Sequence, residues 1–110
     1  MIKRRRHSGP HMELVRLQRQ PMDVVKLSRE LGAIEVGGIV TFVGTVKGET
    51  EEGEVHSIDF TADEAMAGKQ MRLLREEALE RFDISKVSIV HRLGLLKVGD
   101  DIVYIGVGAA

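Results

Sequence analysis

Three side chains have the chemistry to hold an anion or to support a site that does: Lys47, near the end of the run GGIVTFVGTVKG (37–48), and the neighbours His91 and Arg92 in HRLG. Lys47 stands where an apolar run gives way to the polar, acidic stretch Glu49-Thr50-Glu51-Glu52-Gly53-Glu54. Binding groups are often carried at such edges, where a rigid element meets a mobile loop; the alternative is a solvated lysine at a strand end. Arg92 has the planar fork that suits a carboxylate or phosphate. Its alternative role is a structural ion pair with one of the 17 acidic residues. His91 falls on the apolar face of an alternating segment, either supporting such a site or serving as a buried, hydrogen-bonded histidine that orders the sheet.

Other chemistries are excluded by residue type and spacing. The chain has no cysteine, so disulfides, thiolate metal sites and a cysteine nucleophile are absent, which fits a reducing compartment. GTVKGE lacks the spacing and the Lys-Ser/Thr pair of a phosphate-binding P-loop, and Gly106-Val107-Gly108 has no third glycine for a dinucleotide fingerprint. The two histidines inside the predicted fold, His56 and His91, do not stand at i, i+4, so no metal site and no resident cofactor are expected.

The elements that must position these residues are read from periodicity. Gly37 to Gly48 contains Ile39, Val40, Thr41, Phe42 and Val43, a continuous apolar run expected to be a central strand covered on both faces. Before it, Glu13 to Gln18 predicts a short edge strand ended by Pro21, and Val24, Leu27 and Leu31 repeat as one face of a helix of about ten residues stopped by Gly32. After it, His56, Ile58 and Phe60 alternate with Ser57 and Asp59. Gly44 to Glu54 would then close a β-hairpin with a wide, flexible end. Thr61 and Glu64 match a capping box, and 62–82 predicts the main helix, with Ala67, Met71, Leu74, Ala78 and Phe82 inward. Val87 to Leu93 alternates as a strand; residues 95–101 predict a turn, and Ile102 to Val107 a last apolar strand. The expected fold class is α+β, a mixed sheet with packed helices.

A length of 110 residues suits one domain, assigned to 13–110, and no apolar run is long enough to suggest a membrane span. The basic residues Lys3 to Arg6 precede no apolar core of a secretory signal, so a cytoplasmic protein is expected. Residues 1–12 read as a tag-derived or disordered tail. Of 16 basic residues four lie in that tail, leaving 12 against 17 acidic ones, a net charge of −5 that would repel a phosphate backbone. Nucleic acid is therefore not an expected partner.

Taken together, VRLQRQPMDVVKL (15–27), GGIVTFVGTVKGE (37–49), EAMAGKQMRLLREEALERF (64–82) and VSIVHRLGLLKVGDDIVYIGV (87–107) resemble the large, catalytic subunit of molybdopterin synthase. The resemblance implies an α/β hammerhead-like fold and a homodimer within a heterotetramer that includes two copies of a small ubiquitin-like sulfur-carrier subunit. It implies that the carrier's C-terminal thiocarboxylate enters a pocket on this subunit, and that two sulfurs pass to cyclic pyranopterin monophosphate to form molybdopterin, the dithiolene that later binds molybdenum. A cyclic phosphate and an anionic donor need cations on a rigid frame with glycine beside them, and the resemblance implies that Thr45, Val46 and Lys47 stand where the family's substrate-contacting segment follows its strand. Position 47 is usually arginine in such proteins. Thr61 and Asp63 stand where glutamate and tyrosine are common, and the lysine pair taken as catalytic would fall beyond Ala110. The resemblance thus implies a sulfurtransferase seen without its C-terminal segment; the alternative is a shortened, inactive homologue that serves as a scaffold for a carrier or partner subunit.

Overall fold

The computed structural model describes residues 14–110. The basic tail, 1–12, lies outside them, as does Glu13. In chain order the elements are β1 (Val15–Gln18), α1 (Val24–Arg29), β2 (Gly38–Thr45), β3 (Glu49–Thr50), β4 (Gly53–Glu54), β5 (Ser57–Phe60), α2 (Glu64–Arg81), β6 (Lys86–Arg92), β7 (Gly94–Lys97) and β8 (Asp101–Ala109). The main sheet runs β1-β6-β8-β2, with β1 parallel to β6 and the other pairs antiparallel; β5 pairs with β7 and β3 with β4. This is the mixed sheet with packed helices that the alternating periods predict.

One face of the sheet carries the core. Val90 and Tyr104 oppose each other on β6 and β8 and pack with Leu27 of α1, all three buried. Gly106 makes room for this packing: a Cβ there would lie 2.5 Å from both Leu31 Cδ1 and Tyr104 Oη. Tyr104 therefore lies along its own strand over the glycine, its hydroxyl 3.3 Å from Ser28 Oγ. Lys86 ties the start of β6 to the end of α1, its ammonium donating to the carbonyls of Glu30 and Gly32 at 3.3 and 3.2 Å. Strand alternation puts Val15 and Val87 on the other face, which α2 crosses, with Arg75 Nε donating to Val87 O at 2.9 Å.

Several expectations are corrected. The strand expected to be central and covered on both faces is an edge strand: Val40 is 73% and Phe42 58% exposed, continuous with Ile105 of β8. An apolar run reports that a surface wants covering, not which chain covers it. The hairpin over Gly44 to Glu54 does not join β2 to β5. β2 instead pairs along its whole length with β8, from Gly38↔Ala109 to Thr45↔Asp101, and only the loop tip folds back as β3 and β4. The 95–101 turn shrinks, because Gly94–Lys97 forms β7 against β5 and buries Leu96. The first helix is also shorter than expected, with Asp23 as its N-cap and Leu31 beyond its end.

At the main helix Asp63, not Thr61, is the N-cap, its Oδ1 accepting from Met66 N–H at 3.0 Å. Both residues are cap-forming types two positions apart, and the aspartate wins because the helix begins at Glu64. Leu74 and Phe82, assigned to the inner face, are both 59% exposed, while Gly68 is buried. The favoured Glu77–Arg81 pair forms at 3.2 Å.

Candidate functional site

Lys47 is exposed on a backbone that is pinned on both sides. Where β2 ends, the register with β8 shifts between Gly44 and Thr45, and such an irregularity bends the strand and re-aims the residues beyond it. Gly44 permits it, since a Cβ there would lie 2.6 Å from Val103 Cγ1. Val46 is then buried and hooked to the turn before β8: its N–H donates to Asp100 O at 3.0 Å, and Gly99 N–H donates to Val46 O at 2.9 Å. Gly99 has φ +90°, a conformation that glycine adopts without strain. On the far side of Lys47, Gly48 O accepts from Val55 N–H at 3.0 Å, and a Cβ at 48 would come 3.0 Å from Val98 Cγ1. The long side chain of Lys47 thus swings from a fixed origin. The acidic stretch beyond it is folded too, as β3 and β4, with Thr50 Oγ1 accepting from Glu52 N–H and donating to Gly53 O.

Arg92 faces inward. It is 9% exposed, Nη2 donates to Arg19 O at 3.0 Å, and Nη1 lies 3.8 Å from Asp100 Oδ2. That same carboxylate oxygen accepts Lys97 N–H at 2.9 Å, closing the turn between β7 and β8. His91 projects to the opposite face, its ring 4.6 Å from that of Phe60 and tilted by 34°. Its Nδ1 is 2.8 Å from Arg92 O; a carbonyl only accepts, so Nδ1 carries the proton of this contact. His91 lies beside Val103, which lies beside Gly44, so a whole strand separates the imidazole from β2.

The structure thus links Thr45, Val46 and Lys47 to Arg92 through one turn, while His91 stands apart. The linking residues, Gly99 and Asp100, were not singled out by sequence; the only signal was the Gly-Asp pair in KVGDD (97–101). Among the described residues no three His, Asp or Glu side chains converge to hold a metal ion. No helix among them is long and apolar enough to cross a membrane.

Residues 17–110 match the family described as MoaE protein, a stretch that contains every one of these positions. The chain belongs to the MoaE family. It is 37% identical over 97 residues to the molybdopterin synthase catalytic subunit of Pasteurella multocida, covering 87% of this chain and 65% of that one. The chain therefore spans just under two thirds of that relative's length. The molybdopterin synthase structure from Staphylococcus aureus superposes with a TM-score of 0.83 at 26% identity, over 90% of this chain and 72% of that one. A complex of subunits 1 and 2 of the molybdopterin-converting factor from Helicobacter pylori shares the fold, with a TM-score of 0.70 at 18% identity over 87% of this chain and 65% of that one. MoaE membership places the chain among proteins of molybdenum cofactor biosynthesis. It also sets Lys47, with its pinned backbone, inside the matched segment.

Proposed function

We propose that this chain carries the substrate-phosphate side of a molybdopterin synthase catalytic subunit. In this reading sulfur passes from the thiocarboxylate of a small ubiquitin-like carrier to cyclic pyranopterin monophosphate. The observation that carries the proposal is the placement of Lys47: an exposed ammonium whose two flanking residues are both hydrogen-bonded to neighbouring segments. Such a group meets an anion with little loss of backbone entropy, since the backbone is already ordered. Thr45 and Val46 supply the adjoining rim and the anchor.

The carrier is proposed from the resemblance and from the two-subunit assembly of the H. pylori relative. The homodimer is supported by the uncovered sheet surface of Val40, Phe42 and Ile105, next to an edge strand whose outer hydrogen-bonding groups face no described strand. Contiguous apolar surface of this kind on a sheet edge calls for a partner.

The test is calorimetric titration of cyclic pyranopterin monophosphate into the wild type and Lys47→Ala. The reading expects affinity to fall about tenfold, the scale of one charge-assisted contact, with the melting temperature unchanged. Equal affinities, or a loss of affinity matched by a loss of stability, would overturn it. Carrier binding without any pterin binding would instead favour the scaffold.

A further inference from the structure

We propose that Arg92 is a positioning residue for the Thr45–Lys47 segment: its guanidinium fixes Asp100, and the backbone of Asp100 in turn fixes Val46 and hence the origin of Lys47. The consequence for substrate rests on the reading of Lys47 as a phosphate-binding group; the consequence for the segment does not.

Stability alone is a poor explanation for this arginine. A guanidinium has five N–H donors, and burying one costs free energy unless they are paired. Here Nη2 reaches Arg19 O at 3.0 Å, Nη1 stops 3.8 Å short of Asp100, and Nε is buried with no partner. A buried charge paired this incompletely is commonly matched or bettered by an apolar side chain of similar size. What an apolar side chain would not supply is a fixed cation opposite Asp100.

Asp100 is where the connection turns from side chain to main chain. Its Oδ2 faces Arg92 and accepts Lys97 N–H, which closes the turn; its carbonyl accepts Val46 N–H, and the preceding Gly99 N–H returns a bond to Val46 O. Arg92 also grips Arg19 O, so the turn is braced against the loop after β1 as well as against β6. The described contacts form one path: Arg19, Arg92, Asp100, Val46, with Lys47 next in the chain. Lysine at 92 would keep the charge but lose the fork that spans two partners in different directions.

Amide hydrogen exchange on the full chain tests this without relying on activity. In Arg92→Lys the amides of Val46 and Gly99 should exchange about tenfold faster, while those of Val90 and Tyr104, in the sheet centre, stay within about twofold of wild type. Asp100→Asn, at a half-exposed residue whose amide oxygen still accepts Lys97 N–H, should give the same local acceleration, and the double variant no more than either single one. It also keeps the test open should Arg92→Lys fail to fold. Unchanged exchange at Val46 and Gly99 overturns the proposal, as does acceleration spread evenly over the sheet, the mark of a merely stabilising residue. Titration with cyclic pyranopterin monophosphate separates the two layers. Local acceleration with severalfold weaker binding supports both, whereas local acceleration with wild-type affinity upholds the positioning by Arg92 and overturns the reading of Lys47.

Discussion

Gly106→Ala is a single added methyl group whose cost can be worked from the structure. The new Cβ would lie 2.5 Å from Leu31 Cδ1, 2.5 Å from Tyr104 Oη and 2.9 Å from Tyr104 Cζ. Ordinary carbon contacts sit at about 3.5–4.0 Å, so the neighbours must retreat by roughly 1 Å. Leu31 and Tyr104 are both fully buried, so neither can relieve the contact by swinging out into solvent. Nor can the strand yield easily, since Gly106 is paired with Thr41 of β2 on one side and Ser88 of β6 on the other. Overpacking of this kind costs about 1–3 kcal/mol, and displacing the tyrosine hydroxyl from Ser28 adds about 1 kcal/mol. The reduced freedom of the unfolded alanine chain offsets about 0.4–1 kcal/mol. The net expectation is a loss of about 2 kcal/mol, or a melting temperature about 10 °C lower for a domain of this size. Urea unfolding at one fixed protein concentration reads it as a shift of midpoint with unchanged slope. Gly38→Ala is the control, because a Cβ at 38 meets nothing within 4 Å. A Gly106→Ala protein within about 0.5 kcal/mol of wild type, or a Gly38→Ala protein as damaged as it is, would refute this packing of the core.

Asp63→Ala should cost about 1 kcal/mol through loss of the cap on Met66 N–H, while Thr61→Ala stays within about 0.5 kcal/mol; thermal denaturation of the two side by side decides which residue starts α2. Replacing Val40 and Phe42 together by lysine should convert a dimer into a monomer in sedimentation velocity, and a wild type that sediments as a monomer removes the basis for the dimer. Lys47→Arg should retain pterin affinity within a few-fold while Lys47→Ala loses about tenfold, with all three proteins melting together; a lower melting temperature for Lys47→Ala alone marks the lysine as structural.

Much of the fold was legible in its periodicities. Val87 to Arg92 reads as a strand and forms β6, but the expected faces are inverted from Ser88 to Arg92. Ser88, Val90 and Arg92 are buried while Ile89 and His91, assigned to the apolar face, are half-buried, because helices cover the sheet on both sides and burial there does not follow residue type. The glycines around Val46 correctly marked the point where a strand hands its chain to a loop. Less legible was anything set by partners distant in sequence. β2 read as a central strand because Ile39 to Val43 is apolar throughout, and periodicity does not distinguish burial within the chain from exposure at an edge. β7 was read as a turn because four residues offer too little pattern, and its partner β5 lies more than 30 residues earlier. The tie between Arg92, Asp100 and Val46 spans three separate elements and depends on backbone atoms, which residue types do not encode.

The hook on Val46 is made entirely of main-chain atoms, N–H to Asp100 O and O from Gly99 N–H. The side chain at 47 is consequently uncoupled from the geometry that presents it. Exchange of this lysine for arginine is expected to leave both the backbone and the core in place. The segment is thus a fixed mount with a replaceable fitting, and under the proposed function substitution at this one residue would retune anion preference while the fold beneath is left alone.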